Sequence, residues 1–106
     1  MTEHYDPITP GEYLDHEFLE PLNISQSKLA RDIDVPISRI NGIIKGTRAI
    51  TADTALRFAE YFNTSPGMWL NLQTQYDIRV IKRKNWNEIK SRIRPLSLFS
   101  ENGKSA

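Results

Sequence analysis

The sequence predicts an all-α fold, a compact five-helix domain with a short C-terminal extension. Two observations predict it. Apolar residues recur at spacings of three and four in successive segments, the period of a helix with one buried face. Between segments stand Asn23, Asp34, Gly46 and Asn63, residue types that tolerate the left-handed backbone on which helices end.

Thr9-Pro10-Gly11-Glu12 opens the first helix. Thr9 caps it, Pro10 suits the first helical position and Glu12 closes a capping box. Tyr13, Leu14, Phe18 and Leu22 form its stripe, and Pro21 is expected to end it. Ser25 caps a second helix over residues 26–33, with Leu29, Ala30 and Ile33 inward. A third starts near Pro36 and runs to about Lys45. Thr51 caps a fourth, with Ala55, Leu56, Ala59 and Phe62 as its stripe. Ser65-Pro66 opens a longer fifth helix, Met68 to about Lys84, carrying Trp69, Leu72, Tyr76 and Val80. These elements place one domain in residues 1–84. Residues 85–106 form an extension: a short helix with Trp86, Ile89 and Ile93 before Pro95, an extended stretch at Leu96, Leu98 and Phe99, and a frayed end from Glu101.

The stretch from Gln26 to Ile44 carries the functional signal. Two short helices flank a tight turn; small Ala30 lets them approach, Val35 plugs the turn, and Ile40 and Ile43 anchor the second of the pair. This is the helix-turn-helix pattern, whose second helix enters the major groove of DNA. At about 100° per residue, Ile40, Ile43 and Ile44 share one side of that helix. The opposite side holds Ser38, Asn41, Gly42 and Lys45, with Ile37 and Arg39 on the flanks. Asn41 suits adenine, Arg39 guanine, and Ser38 a base edge or a phosphate. Ile37 suits a thymine methyl, and Gly42 lets the helix sit deep. Gln26 and Ser27, at a helix N-terminus, suit phosphate, as do Lys45, Thr47 and Arg48 after the third helix. The same pattern also fits an ordinary helical hairpin with a solvated polar face.

Net charge is only +1, but it is unevenly spread. Residues 1–20 hold six acids (Glu3, Asp6, Glu12, Asp15, Glu17, Glu20) and no Lys or Arg, whereas residues 77–106 hold eight bases against three acids. One acidic end and one basic face are expected. Cysteine is absent, which excludes disulfides and thiolate metal sites. The polar, acidic start is unlike a secretory signal, and no apolar run approaches the roughly 20 residues of a membrane span. A soluble, cytoplasmic chain with no membrane partner is expected. His4 and His16 lack metal-ligand spacing, His16 with Glu12 fits a surface pair, and phosphate loops, nucleophile elbows and HExxH are missing. No catalytic residue, metal or cofactor is expected.

Beyond the motif, Thr9-Pro10-Gly11-Glu12 resembles the "HPGE" opening of HigA-type antitoxins, within the broad Cro/repressor-like class. Leu19-Glu20-Pro21-Leu22 and Ile24-Ser25-Gln26 continue the resemblance. Ile50-Thr51-Ala52-Asp53-Thr54-Ala55-Leu56-Arg57-Phe58-Ala59 carries it furthest, with Thr64-Ser65-Pro66-Gly67-Met68-Trp69-Leu70-Asn71-Leu72-Gln73 and Tyr76-Asp77. It covers roughly residues 8–84. Asn23, Asp34 and Asn63 stand where the family commonly has glycine, Thr9 where it has His, and Gly67 where it has a bulkier residue.

The resemblance implies an antitoxin of a type II toxin–antitoxin module. Such a protein binds double-stranded operator DNA, dimerises, and neutralises a RelE-like ribonuclease toxin by direct contact. The stripe Trp69, Leu72, Tyr76 and Val80 then reads as a dimer interface or as core. The basic side chains of residues 79–94 read as a solvated face, a DNA-backbone contact or a toxin contact. The acidic first helix is, by elimination, the toxin-facing surface. The alternatives are a stand-alone dimeric repressor without a toxin, and an interaction module that no longer binds DNA.

Overall fold

The computed structural model describes residues 8–97, in which six helices and no strand occur. Helix α1 is continuous over three segments, Pro10–Leu14, Asp15–Leu19 and Glu20–Leu22. It is followed by α2 (Gln26–Ile33), α3 (Ile37–Lys45), α4 (Ala52–Phe62), α5 (Pro66–Lys84) and α6 (Trp86–Ser91). Leu98, Phe99 and the expected frayed end lie outside the described residues.

Local chemistry sets the helix ends. Thr9 Oγ1 accepts the Glu12 N–H at 3.0 Å, and the Glu12 carboxylate accepts the Thr9 N–H at 3.0 Å, completing the capping box. Ser25, Thr51 and Ser65 accept the N–H three residues on in the same way. Asn23, Asp34, Asn63 and Gly46 all adopt positive φ, so each expected stop is a left-handed one. After Asp34 the Val35 N–H reaches back to the Ala30 carbonyl at 3.0 Å, and after Gly46 the Thr47 N–H reaches the Gly42 carbonyl at 2.9 Å, the bonding that closes a helix C-terminus.

Pro21 does not end α1. The turn before it is wound more widely, with the Glu20 N–H donating five residues back to Asp15. A widened turn relieves the clash between a proline ring and the preceding turn, and the helix runs through Leu22 to Asn23. The same widening serves packing. In a regular helix, residues five apart lie about 140° apart around the axis, yet Leu14 and Leu19 are both buried.

The core closes around Trp69, which is fully buried. Its ring meets Phe58 at 4.9 Å, Phe18 at 5.1 Å and Phe62 at 6.0 Å between centroids, and its indole N–H donates to Thr64 Oγ1 at 2.8 Å. Leu29, Ala30, Ile33, Ile40 and Ile43 complete the core beneath the helix-turn-helix. Two stripe residues lie elsewhere than expected. Leu56 is 60% exposed and Leu22 55% exposed. On α4 the buried set is Thr54, Ala55, Phe58 and Ala59, and Leu56 falls about 100° from Ala55 around the axis, on the outer side. Phe58, which the stripe omitted, takes the central place.

Candidate nucleic-acid interface

Helix α3 turns Ile40 and Ile43 into the core, with Ile44 partly buried beside them. Its opposite side carries Ser38 and Lys45, both exposed, and Asn41, half-buried. Ile37 is exposed at the helix start. At the N-terminus of α2, Ser27 is exposed and Gln26 half-buried. Thr47 and Arg48 are exposed on the turn that follows α3.

Gly42 also has a role within the chain. A Cβ there would stand 3.0 Å from Arg48 Cβ and 3.6 Å from Thr47 Oγ1. Its carbonyl accepts the Thr47 N–H, the Arg48 N–H at 3.1 Å and the Thr47 hydroxyl at 3.3 Å. Gly42 therefore lets the turn fold back onto α3, which sets the position of Arg48.

Arg39 leaves the helix on the α4 flank. Its Nη1 donates to Asp53 Oδ2 at 2.7 Å. The same oxygen accepts Arg57 Nε at 2.9 Å, and Arg57 Nη1 donates to the carbonyls of Ile33 and Asp34 at 2.7 and 3.1 Å. The guanidinium groups of Arg57 and Arg39 hold the Asp53 carboxyl below the usual carboxylate range. A second polar cluster ties α2 to α4. Lys28 Nζ donates to Asp32 Oδ2 at 2.8 Å, and the Tyr61 hydroxyl donates to the same oxygen at 2.6 Å. These donors lower the Asp32 pKa, while Asp32 raises those of Lys28 and Tyr61.

The four residues expected at a dimer interface separate. Trp69 lies inside the protomer, enclosed by rings of its own chain, and presents nothing to a second copy. Leu72 packs partly on the core. Tyr76 lines a cavity of about 180 Å³ with Thr9, Gly46 and Arg48. Val80 is exposed, as are Ile78 and Ile81. His16 pairs with Glu20 at 3.4 Å, one turn after it, and not with the expected partner Glu12, one turn before it.

Asp53, Arg57 and Gln73 were not singled out from sequence. The i,i+4 spacing of Asp53 and Arg57 signals an ion pair, and Gln73 is a polar residue one turn after Trp69. Neither signal names a partner in another element.

The helix-turn-helix family matches residues 16–69. Antitoxin HigA-1 of Vibrio cholerae is 32% identical over 95 residues, 90% of this chain and 89% of that protein. The solved structure of the Pseudomonas aeruginosa antitoxin HigA with the higBA promoter is 41% identical, has a TM-score of 0.81, and covers 85% of this chain and 98% of its own. The chain belongs to the HigA-type helix-turn-helix family. This HigA-type chain is also 46% identical, over 72% of its length and 70% of the other, to Virulence-associated protein I of Dichelobacter nodosus. The HigA-type family is one of antitoxins and transcription regulators, not of enzymes. No described helix is long and apolar enough to cross a membrane.

Proposed function

We propose that this chain is a cytoplasmic antitoxin that represses its own operon and neutralises a RelE-like ribonuclease toxin. The observation that carries the reading is its likeness, along nearly the whole fold, to an antitoxin solved with its promoter. In this reading α3 lies in the major groove. Ser38, Asn41 and Ile37 meet base edges and Arg39 reaches guanine from the flank. Gln26, Ser27, Lys45, Thr47 and Arg48 hold phosphates. Gly42 contributes by seating Arg48.

A homodimer presents two such helices to half-sites about one DNA turn apart. Leu72, Tyr76 and Val80 on α5 mark its face, while residues 85–106 act as an extension outside the DNA-binding domain. The toxin meets the acidic side of α1, where Glu12, Glu17 and Glu20 are exposed and attract a basic partner.

The test is co-purification of the full chain with the product of the adjacent reading frame. The eluate is then bound to the shared promoter at two salt concentrations. A stable complex with steeply salt-dependent promoter binding is expected. Specific promoter binding without any partner would leave a stand-alone dimeric repressor. Tight toxin binding that survives joint neutralisation of Glu3, Asp6, Glu12 and Glu17 would remove α1 from the toxin surface.

A further inference from the structure

The two basic residues of α3 are held very differently. Lys45 is exposed to solvent. The Arg39 side chain is only 27% exposed and ends on Asp53. Asp53 is itself braced, because its Oδ2 also accepts Arg57 Nε, and Arg57 is fixed to the carbonyls of Ile33 and Asp34 at the turn of the helix-turn-helix. An unbroken series of hydrogen bonds thus runs from the turn, through α4, to the guanidinium of α3.

A guanidinium carries five N–H donors in a rigid planar fork. Asp53 takes one Nη1 donor of Arg39, which leaves donors on the other terminal nitrogen uncommitted to Asp53. An open groove of about 480 Å³ beside the pair is lined by Arg39, Arg48, Asp53 and Arg57, so the fork is held without being enclosed. Holding a flexible side chain in place before its ligand arrives lowers the ordering cost of binding. It also restricts the base geometry that the fork accepts.

We propose that Asp53 is a positioning residue for base recognition, orienting the free edge of Arg39 toward a guanine, with Arg57 anchoring Asp53 to the turn. This rests on the operator-binding reading above. Asp53 touches no base; it acts through Arg39. Its negative charge weakens binding to any duplex, so its contribution lies in discrimination and not in affinity. The carboxyl, held ionised by its two arginines, keeps this brace at neutral pH.

The test uses the full chain and two duplexes, the promoter of its own reading frame and a scrambled duplex of the same composition, at one fixed salt concentration. Wild type, Asp53→Asn, Asp53→Glu, Arg39→Ala and the double variant Asp53→Asn/Arg39→Ala are compared by the ratio of scrambled to promoter Kd. Asp53→Asn should lower that ratio about tenfold while binding the scrambled duplex at least as tightly as wild type. Asp53→Glu, which keeps the charge, should retain most of the ratio. In the Arg39→Ala background, Asp53→Asn should change nothing further. Equal weakening on both duplexes would make Asp53 only a link between α3 and α4, and an additive loss in the double variant would separate it from Arg39; either overturns the proposal. A wild-type chain that fails to discriminate the duplexes overturns the operator reading and the proposal together.

Discussion

The side-chain oxygen of Gln73 accepts the backbone N–H of Ile50 at 2.8 Å, while its amide nitrogen donates to Asp77 at 3.0 Å. One residue of α5 thereby anchors the turn that carries Thr47 and Arg48. Ile50 is itself buried, so its N–H has little access to water. Gln73→Leu should leave that donor unsatisfied and cost about 1–3 kcal/mol in urea unfolding. Gln73→Glu keeps the acceptor but sets a second carboxylate against Asp77, so it should recover only part of this. Equal stabilities for the leucine variant and wild type would show that the bond contributes nothing.

Gly11 lies where α1 crosses α3. A Cβ there would overlap the Ile43 carbonyl and come within 2.8 Å of Ile44 Cα. Gly11→Ala should therefore destabilise by about 1–3 kcal/mol through overpacking and weaken promoter binding, since α3 must shift. Gly67, in the first turn of α5, has nothing within 4 Å of its virtual Cβ. Gly67→Ala should raise the melting temperature through helix propensity alone. A stable Gly11→Ala protein would mean that the α1–α3 contact is looser than the geometry says.

Trp69→Ala should lose about 3–5 kcal/mol of folding stability. Trp69→Phe keeps a ring against Phe58 and Phe18 but gives up the bond to Thr64, and its loss should be smaller. Analytical ultracentrifugation separates the two sites expected for this residue. A Trp69→Phe protein that folds normally but dissociates to monomers would place the ring at an interface, against its burial in the protomer.

The carboxyls of Asp32 and Asp53 are held below the usual range. Their stabilising contribution is complete above the unfolded value of about 4 and is lost as pH falls through the lower folded values. The Tyr61 hydroxyl is shifted upward, so its contribution is complete below the unfolded value of about 10 and is lost as pH rises through the higher folded value. Asp32→Asn should flatten both the acid and the alkaline decline in urea midpoints, because Asp32 is the partner in both. Asp53→Asn should flatten the acid decline only. An acid decline unchanged in both variants would rule out these pairs as its source.

Arg48→Ala should weaken binding to promoter and scrambled duplexes alike and reduce the salt slope by about one. A loss confined to the promoter would assign Arg48 to a base edge instead of a phosphate.

Much of this architecture is written locally. Thr9, Ser25, Thr51 and Ser65 cap helices because a hydroxyl reaches an N–H three residues away, and Asn23, Asp34, Gly46 and Asn63 stop them because their backbones tolerate positive φ. Both effects act within a few residues, so the sequence displays them. Pro21 and Leu56 depart from the local pattern. Pro21 is accommodated by a widened turn that no single residue type announces, and the face that α4 buries is chosen by Trp69 on another helix. The interface divides in the same way. The exposed side of α3 follows from helical period alone, whereas Arg39 meets Asp53 across 14 residues and Arg57 meets the Ile33 carbonyl across 24, contacts that only the assembled helices bring together.

The widened turn in α1 also bears on how this chain tolerates changes in length. A turn bonded five residues back contains one residue more than a regular helical turn needs. Loss of exposed His16 or Glu17 would leave Leu14 and Leu19 four positions apart, on one face of an ordinary helix. Elsewhere in α1 a one-residue deletion would rotate everything beyond it by about 100° and turn a buried leucine outward. The widened turn thus does two things at once: a deletion between Leu14 and Leu19 would keep the leucine face but return Pro21 to a regular helix, whose preceding turn its ring would crowd.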